Sequence, residues 1–321
     1  MANDSGRIQF IDYKKTEEKL KPELIAGLKK TPKVISPKFF YDREGSGIFD
    51  AITESPDYYL TNMEISIIRD HLDEICGIIG GNSALIEYGG ANLKKINLIL
   101  NHCKNIECYV PIDISTLYMQ SSMNELLDNH VNLRIIAISA DFTKPLKMPD
   151  IEKYSRRTVL FLGSSIGNFE PLEIKQFLEN AYQTIREGDC MIVGVDLRKD
   201  EETLNRAYND TEGITAAFNL NLISRINKEF GCNLDKKKFE HVAFYNNKEG
   251  RIEMHLRVLS DMDVEISGEM ISFHKGELIH TENSYKFSPE IFSHIVEESG
   301  FKVKNIWMDS RKFYSIFVLI K

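Results

Sequence analysis

The chain has 321 residues, of which 42% are hydrophobic and 27% charged, and its formal net charge is −8. This composition is that of a globular protein of about two domains, and the acidic balance argues against nucleic acid as a partner. The sequence contains no apolar run of the ~18 residues that a membrane-spanning helix needs, so we expect no membrane association.

Apolar segments typical of strands alternate with amphipathic segments typical of helices in the middle of the chain. Between Ser83 and Leu197, strands are predicted in SALIEYGG, IECYVPIDIS, NLRIIAISADF, TVLFLGSSIGNF and DCMIVGVDL. Helices are predicted in NLKKINLILNHC, TLYMQSSMNELLDNH and PLEIKQFLENAYQTI. Strands that alternate with helices form βαβ units and a parallel sheet covered on both faces, so the pattern predicts an α/β, Rossmann-like core.

The alternation stops after Leu197. Residues 199–286 hold two helical segments and then strands such as RIEMHLRVLS and DVEISGEMISF, which predict a mixed, mostly antiparallel addition. The core pattern returns with a helix in PEIFSHIVEESG and strands in VKNIWMDS and FYSIFVLIK. We therefore predict two domains, a core of residues 62–197 and 287–321 and a second, mixed α+β domain of residues 1–61 and 198–286.

Three predicted strand ends carry residues that suit a nucleoside cofactor. EYGGAN, from Glu87 to Asn92, joins the first strand to the first helix, and glycines there let the backbone approach a ligand. Asp113 ends the second strand roughly 20 residues later, where an acid usually binds ribose hydroxyls. Asp141 and Phe142 end the third strand, where a carboxylate and a backbone amide suit an adenine edge.

Two alternatives exist for these strand ends. The two aspartates are also suited to capping helices, and NAD is a possible ligand of the same residues. The core, however, ends with one helix and two strands after its fifth strand, which is a common ending of methyltransferase cores. That ending favours S-adenosylmethionine.

Polar and aromatic residues outside the core predict a binding site for a small polar molecule. The segment SPKFFYDREGSGIFDAITESPDYYLT is rich in aromatic residues and includes Tyr58 and Tyr59. In HTENSYKF, Glu282 and Ser284 are two residues apart, so on a strand both side chains point to one face. The alternatives are that the tyrosines are half-buried core residues and that Glu282 is a solvated cross-strand partner.

Several long and unusual segments lead to a family. They are PKFFYDREGSGIFDAIT, PDYYLT, FLGSSIGNF, DLRKD, AYND, TAAFNLN, FEHVAFYN, RIEMHLR and TENSYKF. Through them the chain resembles, over nearly its whole length, the histidine-specific, S-adenosylmethionine-dependent Nα-methyltransferases, the EgtD-like enzymes that make hercynine for ergothioneine. The resemblance implies a class I methyltransferase core with a second, substrate-binding domain, S-adenosylmethionine as cofactor, and Nα-methylation of L-histidine to its trimethylated betaine.

The resemblance also implies roles for individual residues. Tyr41 and Asn168 are expected at the reacting amine and are the implied catalytic residues. The residues expected to bind substrate are Phe49, Tyr58, Gly163, Asn168, Tyr208, Met254, Glu282 and Ser284, of which Glu282 and Ser284 hold the imidazole nitrogens. The residues expected to bind the cofactor are Tyr41, Gly89, Lys95, Asp113, Asp141 and Phe142.

The chain departs from the family at the glycine turn, where family members commonly carry a G-S-G-type run and this chain has Gly89-Gly90-Ala91. From the residues alone, Asn168 also suits a cap of the helix that begins near Pro171, and Met254 suits the core. Three functions remain open: a histidine Nα-methyltransferase, a methyltransferase of the same fold for another amino acid or small amine, and a catalytically weak protein that binds S-adenosylmethionine.

Cysteines and histidines indicate the setting of the protein. The five cysteines are scattered and form no CxxC pair, which favours free thiols in a reducing cytoplasm. The eight histidines lack metal-ligand spacing such as HExxH, so no metal is expected. MANDSGRIQF does not have the pattern of a signal peptide. We expect a cytoplasmic monomer whose partner is a small amino-acid substrate.

Overall fold

The computed structural model describes residues 6–13, 20–90 and 93–321. The chain divides into two units by its internal contacts. Unit 1 comprises Met1–Lys14, Leu60–Arg198 and Lys286–Lys321, and unit 2 comprises Lys15–Tyr59 and Lys199–Tyr285. None of the helices in these described ranges has the length and apolar character needed to cross a bilayer.

Unit 1 is built on an eight-stranded sheet. Numbered in chain order, its strands are β1 (Ile8–Asp12), β2 (Ser83–Tyr88), β3 (Ile106–Asp113), β4 (Arg134–Ser139), β5 (Arg156–Phe161), β6 (Cys190–Asp196), β12 (Lys302–Met308) and β13 (Tyr314–Ile320). Their order in the sheet is β1-β4-β3-β2-β5-β6-β13-β12. The strands from β1 to β6 are parallel, and β13 runs antiparallel to both of its neighbours.

Helices complete unit 1. They are α3 (Tyr59–Asp70, whose first residue belongs to unit 2), α4 (Leu72–Ile79), α5 (Leu93–His102), α6 (Thr116–Asn129), α7 (Pro171–Thr184) and α10 (Pro289–Glu298). Every residue of β2 and of β6 is buried, as expected for parallel strands covered on both faces. The prediction of an α/β, Rossmann-like core is confirmed.

The N-terminus requires a correction to the expected domain boundaries. We placed residues 1–61 in the second domain, but β1 pairs in parallel with β4, from Ile8 opposite Ile135 to Asp12 opposite Ser139. This strand was not predicted, because IQFID is short and its fit to the sheet depends on a partner more than 100 residues away. The other two parts of unit 1 are residues 60–198 and 286–321, where we expected a core of residues 62–197 and 287–321.

Two cysteines are also placed differently from our expectation of free thiols. Cys76 of α4 and Cys103, which follows α5, form a disulfide with their Cα atoms 5.2 Å apart. The expectation was wrong for this pair because the packing of α4 on α5 joins positions whose separation in sequence has no characteristic spacing. Cys108, Cys190 and Cys232 are free thiols.

Unit 2 is a mixed α+β structure, as predicted. Its helices are α1 (Leu20–Leu28), α2 (Arg43–Glu54), α8 (Glu201–Tyr208) and α9 (Ile214–Phe230), and its strands are β7 (Phe239–Asn246), β8 (Arg251–Val258), β9 (Met262–Ile266), β10 (Glu269–Phe273) and β11 (Leu278–Tyr285). The strands β11-β8-β7 form an antiparallel sheet, and β9 and β10 form a hairpin. Arg225 of α9 donates to the carbonyl of Phe39, 2.8 Å away, which joins the N-terminal segment to the insertion.

A buried ion pair in unit 1 gives a test of the fold. Lys286 Nζ lies 2.7 Å from Asp196 Oδ2, and both side chains are 0% exposed. We expect Lys286→Met to destabilise the protein by about 3–5 kcal/mol, because the carboxylate stays buried without its cation. At about 2–4 °C per kcal/mol the midpoint of thermal unfolding should fall by roughly 10 °C, measured by circular dichroism. The control is Lys302→Met, an exposed position in β12; an equal effect of both changes would contradict the prediction.

Candidate functional site

The carboxyl ends of β2, β3 and β4 lie side by side in unit 1. The amide of Gly89 donates to the carbonyl of Ile112 at 2.8 Å, and the amide of Ala140 donates to the carbonyl of Asp113 at 3.1 Å. Asp113 is also the register partner of Ser139. The expected cofactor residues Gly89, Asp113 and Asp141 therefore follow one edge of the sheet, where ligands of open α/β sheets bind.

The two glycines after β2 have different surroundings. Gly89 has a φ of +76°, and among the described residues no atom beyond its chain neighbours lies within 4 Å of where a Cβ would stand, so these residues leave room for a ligand against this backbone. A Cβ on Gly90 would instead lie 2.9 Å from both Pro111 Cβ and the Tyr109 hydroxyl. The absence of a side chain at Gly90 therefore allows the backbone to pack closely against β3. Ala91 and Asn92, the last two residues of the EYGGAN segment, lie outside the described residues.

Asp113 and Asp141 each accept a hydrogen bond in a local turn. Asp113 Oδ1 accepts from the amide of Ser115 at 2.7 Å, and Asp141 Oδ1 accepts from the hydroxyl of Thr143 at 2.6 Å. Burial opposes ionisation of Asp141, but the bonds from Thr143 and Lys144 outweigh it, and the pKa of this carboxyl lies below its usual value. Neither aspartate is the N-cap of a helix, because Ser115 is the N-cap of α6 and residues 140–155 contain no helix. Two half-buried carboxylates suit the hydroxyl and amine donors of a nucleoside.

Phe142 follows Asp141 and turns its ring into the core. Its centroid lies 5.8 Å from Tyr88, 5.7 Å from Phe161 and 6.3 Å from Phe177. The packed ring fixes the backbone at the end of β4. This leaves the amide of Phe142, and not its side chain, as the group suited to a base edge.

A buried carboxylate that we did not predict joins two expected site residues in unit 1. Glu64 of α3 lies 2.8 Å from Lys95 Nζ and accepts from the amide of Gly163 at 2.8 Å and 3.0 Å. The sequence does indicate that Glu64 is buried, since it lies at helical spacing with the buried Leu60, Ile67 and Ile68. A charged residue on the apolar face of a helix indicates a buried partner.

Asn168 ends the short 3-10 helix Ser165–Asn168, which follows Gly163 in unit 1. The N-cap of α7 is Glu170, whose amide donates to the Glu173 side chain at 2.9 Å. The alternative assignment of Asn168 as the cap of this helix is therefore wrong.

Unit 2 brings its expected aromatic residues into one cluster. The ring centroids are 5.9 Å apart for Tyr41 and Phe49, 6.5 Å for Phe49 and Tyr58, and 6.3 Å for Tyr58 and Tyr208. Tyr58 and Tyr208 are buried. The Tyr208 hydroxyl donates to Ser284 Oγ at 2.8 Å, which connects the cluster to β11.

The polar pair of β11 faces the same way as Met254. Glu282 is the register partner of Met254, and Ser284 is the partner of Ile252 on β8, with a register shift between His280 and Glu282. Glu282 is 7% exposed and Ser284 is 3% exposed. The alternative of a solvated cross-strand glutamate is therefore wrong, and the strand presents a buried carboxylate and a hydroxyl on one face.

Residues of the TAAFNLN run support this cluster, although we predicted no role for them. The ring of Phe218 stacks on Phe40 with centroids 4.5 Å apart and lies 6.0 Å from Tyr41 and 5.8 Å from Phe49. The run itself was part of the resemblance, but a phenylalanine at helical spacing gives no signal that separates a pocket wall from ordinary core.

His241 fixes the end of α8, where Tyr208 lies. The amide nitrogen of Asn219 lies 2.9 Å from His241 Nδ1 and 2.9 Å from the carbonyl of His255. Because an amide nitrogen only donates, Nδ1 must accept, and the proton on Nε2 is donated to the carbonyl of Tyr208 at 2.9 Å. Burial lowers the pKa of His241, which favours this neutral form.

The expected site residues are divided between the units. Unit 1 contains Gly89, Lys95, Asp113, Asp141, Phe142, Gly163 and Asn168, and unit 2 contains Tyr41, Phe49, Tyr58, Tyr208, Met254, Glu282 and Ser284. Two expected substrate residues, Gly163 and Asn168, thus belong to unit 1, and Tyr41 belongs to unit 2. Across the residues with described positions, no three His, Cys, Asp or Glu side chains are grouped to hold a metal ion.

Known proteins resemble this chain over almost its full length. Residues 20–321 match the family model described as histidine-specific methyltransferase, SAM-dependent. A histidine N-alpha-methyltransferase of Mycolicibacterium smegmatis is 35% identical over 95% of this chain and 95% of its own. One from Mycobacterium tuberculosis is 34% identical over 94% and 95%. Ergothioneine biosynthesis protein 1 of Schizosaccharomyces pombe is 29% identical over 88% of this chain, which covers 38% of that protein.

Glu87, at the end of β2, predicts a pH dependence of stability. It is 3% exposed and accepts a hydrogen bond from Tyr109, and burial raises its pKa from 4.5 to about 7 in spite of that bond and of Lys95. Because the folded pKa is the higher one, the stability linked to this group is present below pH 4.5 and is lost as the pH rises through 7.

We therefore expect the free energy of unfolding of Glu87→Gln, relative to that of the wild type, to be higher above pH 7 than below pH 4.5. The reason is that glutamine does not ionise. At ~1.36 kcal/mol per pKa unit the difference is on the order of 3 kcal/mol. Urea unfolding of both proteins across this pH range measures it. A constant difference between the two proteins at every pH would show that Glu87 has an ordinary pKa.

Proposed function

Since this chain belongs to the histidine-specific, S-adenosylmethionine-dependent methyltransferase family, we propose that it methylates the α-nitrogen of L-histidine. The family model covers residues 20–321, and two relatives named histidine N-alpha-methyltransferase share about a third of its residues. The observation that carries the substrate assignment is the buried pair Glu282 and Ser284 on one face of β11.

We propose unit 1 as the cofactor-binding unit. When bound, S-adenosylmethionine would supply a methyl group whose carbon an amine nitrogen attacks in line, with S-adenosylhomocysteine leaving as the thioether. Asp113 would hold the ribose, and Asp141 with the amide of Phe142 would hold the adenine edge. The open backbone at Gly89 leaves room for the rest of the molecule, and Lys95 offers a cation to its carboxylate.

We propose unit 2 as the unit that holds the histidine side chain. The imidazole is a rival nucleophile, because with a pKa of ~6.5 it is largely neutral near pH 7. A site that directs methylation to the α-nitrogen must therefore bind both ring nitrogens. Glu282 would accept from one N–H, and the Ser284 hydroxyl would bond the other nitrogen. Phe49, Tyr58 and Met254 would line the ring.

Positioning is the main task in such a displacement, since no bond to the protein forms. In unit 2, the Tyr208 hydroxyl would exchange its hydrogen bond to Ser284 for one to the α-carboxylate, and Tyr41 would lie beside the amine. In unit 1, Gly163 and Asn168 are the residues that we propose for the backbone end of the amino acid. The α-amine must be neutral when it attacks. A substrate read through buried hydrogen bonds is discriminated from an analogue that lacks them by up to ~10⁴-fold or more, which favours histidine over apolar amino acids.

The product we propose is hercynine, the trimethylated betaine, made for ergothioneine. This is supported by the relative named ergothioneine biosynthesis protein 1. We further propose that the protein acts as a cytoplasmic monomer on the free amino acid, without nucleic acid or a membrane as partner. The net charge of −8 supports the absence of a nucleic-acid partner.

The product decides between histidine Nα-methylation and the two other functions. We expect incubation with L-histidine and S-adenosylmethionine to yield mono-, di- and finally trimethylhistidine, with every methyl on the α-nitrogen. Mass spectrometry with fragmentation locates the methyl groups. Methyl on the imidazole, or turnover of another amino acid in preference, would overturn the proposal, and cofactor binding without turnover would indicate the catalytically weak protein.

Glu282→Ala tests the substrate assignment directly. The loss leaves an imidazole N–H without its charged acceptor, and such a loss costs on the order of 1.5–3 kcal/mol, or about 10- to 150-fold in the KM for histidine. Ser284→Ala should have a smaller effect, because a hydroxyl is a neutral partner. The affinity for S-adenosylmethionine, measured by calorimetry, should change little in either variant.

The matched control is Asn283→Ala, the neighbouring buried residue on the other face of β11. It should leave the KM for histidine near that of the wild type. If Glu282→Ala has no more effect than this control, β11 is a structural strand and the histidine assignment loses its support.

A further inference from the structure

Glu64 is a fully enclosed carboxylate of unit 1, with 0% of its surface exposed. Its oxygens accept from the amide of Gly163 at 2.8 Å and 3.0 Å and from the Tyr314 hydroxyl at 2.7 Å. Lys95 Nζ lies 2.8 Å away and is the cation of the pair. All of these partners are donors, which matches an ionised carboxylate and not a carboxylic acid.

A glycine in the sheet makes room for the Glu64 side chain. Gly194 lies in β6, and a Cβ there would stand 2.0 Å from Glu64 Oε1 and 2.4 Å from the Tyr314 hydroxyl. No side chain larger than hydrogen fits at this position while the carboxylate stays in place. Position 194 of this fully buried central strand is therefore a glycine because the Glu64 carboxylate occupies the space that a side chain would need.

Both Gly163 and Lys95 belong to the expected site. The backbone at Gly163 has a φ of +84° and at Ser164 of +58°, so two successive residues have left-handed conformations. A Cβ on Gly163 would lie 3.1 Å from Lys95 Nζ, so the ammonium stands directly against this turn. One carboxylate therefore fixes the strained turn after β5 and the cation of α5 at the same time.

We propose that Glu64 is a positioning residue for the methyltransferase reaction, which sets the place of Lys95 and of the Gly163 amide and thereby the affinity for the cofactor. The inference rests on the proposed binding of S-adenosylmethionine by unit 1. Without the carboxylate, Lys95 loses its buried counter-charge and the amide of Gly163 loses its acceptor. The ammonium then moves towards water, and the turn after β5 is no longer held.

Glu64→Gln removes the charge at almost constant size. We expect it to weaken binding of S-adenosylhomocysteine, measured by titration calorimetry, by roughly 10- to 100-fold. Lys95→Met should weaken binding to a similar degree. If Glu64 acts through Lys95, the double variant should bind scarcely worse than Lys95→Met alone, because the second change removes an interaction that is already lost. Fully additive losses, or unchanged affinity in Glu64→Gln, would overturn the proposal.

Gly194→Ala tests the position of the Glu64 carboxylate separately from its charge. The added methyl group displaces the carboxylate without neutralising it, so binding should weaken as in Glu64→Gln. The matched control is Val195→Ala, the next buried residue of β6, which should lower the thermal midpoint but leave the affinity unchanged. In a Glu64→Ala, Tyr314→Phe background, Gly194→Ala should cause no further loss of affinity, because the two oxygen-bearing groups that the added methyl group would meet are gone.

Folding of each variant is checked by circular dichroism before titration. Tyr314→Phe, which removes one donor and keeps the ion pair, provides a milder change if Glu64→Gln does not fold, and it should weaken binding by a few-fold to about 10-fold. Unchanged affinity in Tyr314→Phe would then count against the proposal. A wild-type protein that does not bind S-adenosylhomocysteine would instead refute the proposed function, so the two failures are distinguishable.

Discussion

The parallel pairing of β2, β3, β4 and β5 is the constraint on which the proposed cofactor-binding edge of the sheet depends. Parallel strands end at the same edge of a sheet, so residues that follow them meet although they are distant in sequence. The hydrogen bonds from Gly89 to Ile112 and from Ala140 to Asp113 show that the turns themselves are locked together. A single carboxylate on a loop has many positions available, whereas one that follows a paired strand has its place determined by the sheet.

Buried charges in unit 1 are compensated in different ways. Glu64 has Lys95 and two neutral donors, Asp196 has Lys286, and Glu87 has a tyrosine hydroxyl and a pKa raised to about 7. The first two have a cation at hydrogen-bond distance, whereas burial dominates at Glu87 and raises its pKa. The buried charges around the proposed cofactor-binding edge thus have partners from elsewhere in the same unit.

Unit 2 combines a cluster of aromatic rings with a buried polar pair. The rings of Tyr41, Phe49, Tyr58 and Phe218 pack in T-shaped and tilted pairs, which are arrangements that aromatic rings prefer. Glu282 and Ser284 add a buried acceptor and a hydroxyl to this cluster. Such a combination suits a flat ring with polar nitrogens better than a purely apolar one, because a buried carboxylate facing an apolar ring would be left without a donor.

The sequence by itself determined the alternation of strands and helices, the residues that follow β2, β3 and β4 at one edge of the sheet, and the polar pair on β11. Each of these depends on local periodicity or on a segment long enough to carry a resemblance. The sequence did not reveal β1, Glu64, His241 or the Cys76–Cys103 disulfide. Each of these acquires its role from a partner that is remote in the chain: β4 for β1, Lys95 and Gly163 for Glu64, the carbonyl of Tyr208 for His241, and one cysteine for the other. Only the tertiary structure decides such pairs, because the energy of a buried polar contact depends on the distance between side chains in space, whereas sequence patterns record only their spacing along the chain.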